Sequence, residues 1–177
     1  MIRLFVGIEL PPPLRLRLSL LSAGIKGARW VDPGNMHLTL RFIGEVDEGM
    51  ASDIDAALAR IRAPRFDVTL AGAGHFGGDT PRLLWVGVES NAALFHLRDK
   101  IEAALMRAGL APDPRRYSPH VTLARLKQVA TLDVQAFERA NALFRAEPFA
   151  VDRFTLIASY PTKSGAIYED QAEYALR

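Results

Sequence analysis

The sequence predicts an α+β fold built as two pseudo-two-fold-related lobes, bilobal, with mainly antiparallel sheets around a central cleft. Three observations predict it. Short strand-like and helix-like segments alternate along all 177 residues. The strand segments are brief and broken by polar residues, unlike the continuous apolar strands of a doubly wound parallel sheet. And the residues themselves recur. Phe5-Val6-Gly7-Ile8-Glu9 matches Trp85-Val86-Gly87-Val88-Glu89 at an offset of 80. His37-Leu38-Thr39-Leu40 matches His120-Val121-Thr122-Leu123 at 83, and Phe66 and Val68 match Phe149 and Val151, again at 83. Two copies are too few for a solenoid and suit two lobes facing each other. The expected organisation is one duplicated domain over 1–177, with repeats of roughly 1–78 and 79–177 and strand exchange between the lobes.

Each element has its own signal. Arg3 to Glu9 alternates and is rich in Phe, Val and Ile, which predicts a strand stopped by Pro11-Pro12-Pro13. Leu14, Leu18, Leu21 and Ile25 have helical spacing. Trp30 to Pro33 reads as a short strand and turn, and His37 to Ile43 as a strand ended by Gly44. Asp47 or Glu48 opens an amphipathic helix reaching Ile61. Phe66 to Ala73 predicts a strand. The second copy runs in parallel: a strand over Leu83–Glu89, a helix over Ala92–Arg107 ending at Gly109, a proline-rich connection, a strand over His120–Leu126 and a helix over Leu132–Phe144. Phe149–Ser159 and Ile167–Ala175 then predict a hairpin around Lys163-Ser164-Gly165.

Composition narrows the chemistry. There is no cysteine, which excludes a disulfide scaffold, a thiolate nucleophile and an iron–sulfur cluster. No stretch approaches the roughly 18–20 apolar residues of a membrane span, and no basic region precedes a cleavable apolar segment, so a cytoplasmic protein without a membrane is expected. The net charge of +2 is too small for a polybasic nucleic-acid coat. Of the 22 basic residues 18 are Arg, a planar fork suited to phosphate.

Four histidines occur: His37, His75, His96 and His120. Two begin His-x-Thr-Leu inside predicted strands, a coincidence of roughly 1–2% at this composition. Residues i and i+2 share a strand face, so His37 points with Thr39 and His120 with Thr122, over an apolar backing. Two such strands across a pseudo-two-fold axis set two imidazoles on opposite sides of one point. In-line displacement at phosphorus needs that arrangement: one imidazole takes a proton from the nucleophile and the other protonates the leaving oxygen. Symmetry does not say which does which. The Thr hydroxyls can donate to phosphoryl oxygens. No carboxylate shares either strand face, so no metal is expected. His75, in a Gly-rich loop, is expected to be exposed, and His96 to be a satisfied helix histidine among apolar residues. Arg41, four residues past His37, falls on the cleft face by alternation. Arg125, five past His120, falls on the other face unless the strand bulges or ends. Phe42 stands where the second copy has Arg125, and an aromatic there could stack on a nucleobase.

These motifs carry a resemblance. The segments 36–44 (MHLTLRFIG) and 118–125 (SPHVTLAR), with 3–8 (RLFVGI) and 81–88 (PRLLWVGV), resemble the two-histidine (2H) phosphoesterase superfamily, in its branch of RNA 2',3'-cyclic phosphodiesterases, also named 2'-5' RNA ligases. The resemblance spans nearly the whole chain. It implies metal-free hydrolysis of a terminal 2',3'-cyclic phosphate on RNA to a 2'-phosphomonoester, with His37 as general acid and His120 as general base. Thr39, Thr122 and Arg125 would hold the phosphate, with Arg41 and Phe42 as further candidates. Ring strain makes the hydrolysis downhill, so no cofactor is implied. The partner implied is RNA ending in a 2',3'-cyclic phosphate, tRNA fragments among them, with no obligate protein partner. Reverse 2'-5' ligation would use the same groups. Two other readings stand beside it: a phosphodiesterase acting on a small cyclic nucleotide or a 2'-5' oligonucleotide, and a non-catalytic RNA-end binder.

Overall fold

The computed structural model describes residues 1–177. Ten strands and four helices follow one another as β1 (Ile2–Glu9), α1 (Pro12–Ser19), β2 (Arg29–Trp30), β3 (His37–Val46), α2 (Glu48–Ala59), β4 (Phe66–Val68), β5 (Leu70–Phe76), β6 (Leu83–Val88), α3 (Ala92–Arg107), β7 (His120–Arg125), α4 (Thr131–Ala140), β8 (Phe149–Val151), β9 (Arg153–Thr162) and β10 (Gly165–Ala175). All strand pairs are antiparallel. No helix is long and apolar enough to cross a membrane.

The large sheet has the order β10-β9-β1-β3-β7-β6-β5, with β2 also on β7; β4 and β8 pair apart. Its two halves meet between β3 and β7 through one residue pair, Leu38 opposite Val121. The small sheet is centred on Asp67 opposite Ala150. Both pairs join residues 83 apart in sequence. Partners also cross between the halves: β5 lies beside β6, and β9 beside β1. Each predicted strand at 66–73 and 149–159 is in fact two. The chain leaves the small sheet for the large one at Thr69 and at Asp152, because the first three residues pair with their counterpart and the remainder with a strand of the large sheet.

Leu38, Leu40, Val121 and Leu123 are buried in the main core, whose helical members include Ile54, Leu58, Leu97 and Ile101. The apolar face of the sheet is thus covered by helices, and the histidine face is left for the cleft. Helix α2 starts where the sequence places it, because Asp47 accepts the Met50 amide (2.8 Å). Helix α3 has the predicted bounds, with Asn91 accepting the Leu94 amide (3.0 Å). The other two are shorter than predicted. Helix α1 begins among the prolines, with Pro12 at its first position. It stops at Ser19, where three-residue turns and the positive φ of Gly24 reverse the chain. Ile25 is buried as its spacing suggested, but from the turn after the helix. Helix α4 ends at Ala140, leaving Leu143 97% exposed.

Candidate active site

Two bulges decide what faces the cleft. Along β3 against β1, Thr39 lies opposite Gly7 and Arg41 opposite Val6, so Leu40 is an extra residue. Along β7 against β6, Thr122 lies opposite Trp85 and Ala124 opposite Leu84, so Leu123 is extra. Each bulge inverts the alternation beyond it. His37, Thr39 and Phe42 therefore share one face, as do His120, Thr122 and Arg125, and all six line one cleft of about 860 Å³. That is the size of a small-ligand site. The same inversion corrects the expectation for Arg41. Its side chain is turned away from the cleft and is only 8% exposed. Its guanidinium donates to Glu102 (2.7 Å) and to the carbonyls of Ala111 (2.7 Å) and Phe42. The equivalent residue in the second strand, Ala124, is likewise buried.

The two imidazoles are held alike. His37 Nδ1 lies 3.0 Å from the Asn35 carbonyl and His120 Nδ1 2.7 Å from the Ser118 carbonyl. A carbonyl oxygen only accepts, so each Nδ1 carries its hydrogen and each Nε2 is free to take or give a proton. Aromatic rings wall both groups. Phe5 and Tyr168 meet His37 edge-on at 6.0 and 5.6 Å, and Phe76 meets His120 at 4.9 Å, with Trp85 tilted at 6.3 Å. The Trp85 indole lies where a side chain at position 74 would be: a Cβ on Gly74 would come within 2.4 Å of it. Burial is the main influence on both histidines and pushes both below the ordinary imidazole value, opposed by the carbonyl each one holds. His37 also senses Arg15, which lowers it further, and Asp170, which raises it.

The remaining histidines exchange their expected places. His75 is half-buried, with Nδ1 on the Glu138 carboxylate and Nε2 2.8 Å from the Gly78 carbonyl. His96 is exposed on α3. Phe42 is 54% exposed at the cleft wall. No group of three or more His, Cys, Asp or Glu side chains is placed to hold a metal ion.

Several cleft residues escaped the sequence reading. Phe5 and Trp85 were visible as repeat matches, but that each backs a histidine follows from the pairing of β1 with β3 and of β6 with β7. Arg29 and Tyr168 carried no such signal: Arg29 reaches the cleft through its pairing with the distant strand β7, and Tyr168 because its hairpin β9–β10 is laid against β1. Tyr117 also went unseen. Its hydroxyl donates to the Thr39 carbonyl (3.0 Å), tying the connection just before His120 to the strand that carries His37.

An antiparallel α+β frame with two His-x-Thr motifs facing one cleft defines a class of paired-motif proteins. Within it, the chain belongs to the 2'-5' RNA ligase superfamily, whose family model matches residues 16–161. It is 44% identical to an RNA 2',3'-cyclic phosphodiesterase of Aeropyrum pernix over 158 residues, covering 88% of this chain and 89% of that protein. With the enzyme of the same name from Thermotoga maritima it shares 34% identity over 175 residues, 94% of this chain and 91% of the relative. The crystal structure of E. coli LigT complexed with 3'-AMP superposes with a TM-score of 0.80 at 28% identity, over 99% of this chain and 98% of that one.

Proposed function

We propose that this chain hydrolyses the terminal 2',3'-cyclic phosphodiester of RNA to a 2'-phosphomonoester, without a metal or a cofactor. The observation that carries the proposal is the matched pair of imidazoles, each with Nδ1 fixed to the carbonyl two residues before it, on opposite halves of one cleft. The names of the related enzymes point to the same substrate class.

The cyclic phosphate sits between the two Nε2 atoms. His120, neutral and with its Nε2 lone pair free, takes a proton from water as the oxygen attacks phosphorus. His37, protonated, gives the Nε2 proton to the departing 3' oxygen. The phosphate stays on the 2' oxygen. Thr39, Thr122 and Arg125 hold the non-bridging oxygens, whose charge grows in the transition state. Phe42 offers a face to the terminal base. The direction of proton flow follows the family resemblance. Ligation to a 2'-5' linkage keeps these duties, with an RNA 5'-hydroxyl in place of water; cleavage of that linkage, the reverse reaction, exchanges them. The paired contacts 83 residues apart, Leu38–Val121 and Asp67–Ala150, support one duplicated domain as the origin of the site.

The test is incubation with an RNA ending in a 2',3'-cyclic phosphate, in excess EDTA, with the product position identified. A 2'-phosphate should appear at an undiminished rate. His37→Ala and His120→Ala should each lower kcat by at least ~10²-fold. Activity abolished by EDTA and restored by one divalent ion would replace this mechanism with a metal-assisted one. Turnover of small cyclic nucleotides but not of RNA ends would move the substrate class.

A further inference from the structure

The cleft has one strongly basic end. In the β2–β7 ladder Arg29 lies directly opposite Arg125, and Leu83 at the start of β6 faces Arg125 from the other side. Like charges directly opposite each other destabilise a strand pair. Three more cations gather at the same strand ends. Arg82 is one residue before Leu83, and its carbonyl accepts the Leu126 amide (2.7 Å). Lys127 is two residues past Arg125, and its carbonyl lies 4.0 Å from the Cβ position of Gly27, the residue after Lys26. All five side chains are exposed, and none takes part in any of the chain's ion pairs. The lining from Thr162 to Tyr168 offers hydroxyl, backbone and apolar groups; Lys163 between them is exposed but does not line the cleft, and the other charged lining residues are Asp32 and Arg115, the latter paired with Asp113.

From this asymmetry we infer that the rim formed by Lys26, Arg29, Arg82 and Lys127 binds the phosphodiester backbone of the substrate strand 5' to the reacting nucleotide, making the enzyme selective for oligonucleotide ends over mononucleotides. The inference rests on the proposed function and deepens it. Arg125 reaches the reacting phosphate from the last residue of β7, and Arg29, on the neighbouring strand, takes the next phosphate along. The remaining cations continue that line away from the cleft. A backbone path of this kind adds affinity that is independent of base sequence and falls with salt. A cyclic mononucleotide has no second phosphate to offer it.

The experiment compares wild type with the double variant Arg29→Gln/Lys127→Gln on two substrates: a mononucleoside 2',3'-cyclic phosphate, and an oligoribonucleotide of about ten nucleotides with the same end. Both changed side chains are exposed and make no ion pair, and Arg29→Gln relieves its repulsion with Arg125, so melting should not fall. The double variant should lose at least ~10-fold in kcat/KM on the oligonucleotide relative to its loss on the mononucleotide. The log–log salt slope for the oligonucleotide should shrink by about 1.4, the change for two lost single-strand phosphate contacts. Equal losses on both substrates, or no loss on the oligonucleotide, would overturn the inference. Anisotropy with the same oligonucleotide carrying a 2'-phosphate reads the rim without turnover. There, weaker binding by the double variant with a reduced salt slope supports the rim even if wild type hydrolyses neither substrate, an outcome that would sink the proposed function instead. Undiminished binding would overturn the rim.

Discussion

At the scale of single residues, Arg125 and Arg41 sit in opposite surroundings, one at the cleft and one enclosed. Arg125 is exposed at the cleft and makes no ion pair, so its loss should be felt by substrate rather than by the fold. Arg125→Ala should lower kcat/KM on a cyclic-phosphate RNA by at least ~10-fold, the scale of a lost hydrogen bond to a charged group. Arg125→Lys should recover only part, because it keeps the charge and loses the bidentate fork. Both should melt like wild type. Arg41 is the converse. Its pair with Glu102 is nearly enclosed, with side chains 8% and 13% exposed. Arg41→Ala leaves Glu102 with Arg98 at 3.5 Å as its remaining ionic partner. Breaking an enclosed pair costs about 3 kcal/mol, or about 6–12 °C of melting temperature in a chain this long. Thermal melts and kcat/KM on the three variants check both claims. A normally melting Arg41→Ala that has lost turnover would sink the assignment.

At the scale of elements, the site depends on irregularities that a period of two does not encode. The alternation Leu38, Leu40, Val121, Leu123 was visible in the sequence, and so were the histidines and threonines between them. The bulges at Leu40 and Leu123 were not, because nothing in either strand's own residues marks the extra one; it is defined only against β1 and β6. Strict parity therefore favoured Arg41 and disfavoured Arg125, the reverse of what the structure shows. Helices α2 and α3 were legible because side-chain caps at Asp47 and Asn91 fix their starts. The overlong readings of α1 and α4 followed apolar spacing into turns. The connection between α3 and β7 was visible only as a proline-rich loop, yet it spans the two histidine strands. The Tyr117 hydroxyl holds the Thr39 carbonyl, and the Arg98 guanidinium stacks on the Tyr117 ring at 5.3 Å. Tyr117→Phe keeps the ring and removes that hydrogen bond, worth about 1 kcal/mol. Since the bond sets the relation of the two motifs and Tyr117 does not line the cleft between the histidines, kcat should fall about fivefold with KM nearly unchanged. A change confined to KM would mean that Tyr117 contacts substrate instead.

At the scale of the whole molecule, matching residues at offsets of 80 and 83 were visible in the sequence and carried the expectation of strand exchange; which strands lie together, β5 with β6 and β9 with β1, was a property of the assembled sheet. Assembly also buries the two cleft histidines and sets His75 between two acceptors, and these environments act oppositely on stability. His37 and His120 have folded pKa values below the ordinary imidazole value, chiefly through burial. The unfolded chain therefore binds their protons more tightly. Their contribution is fully present above about pH 6.5 and is lost as the pH falls below it. His75 is shifted up, chiefly by its hydrogen bond to Glu138, then by Gly78. Its contribution is present below about pH 6.5 and is lost as the pH rises through its raised value. Melting temperatures between pH 5.5 and 8 should separate the two. His37→Asn/His120→Asn should lose less stability than wild type on going from pH 7.5 to 5.5, because the proton-repelling pair is gone. His75→Gln should lose more, because the group that gains stability on protonation has been removed. The carboxylates are common to all three proteins and cancel in the comparison. Parallel pH curves for the three would show that the imidazoles titrate in the folded protein as they do in the unfolded chain, and that neither the cleft nor the Glu138 contact perturbs them.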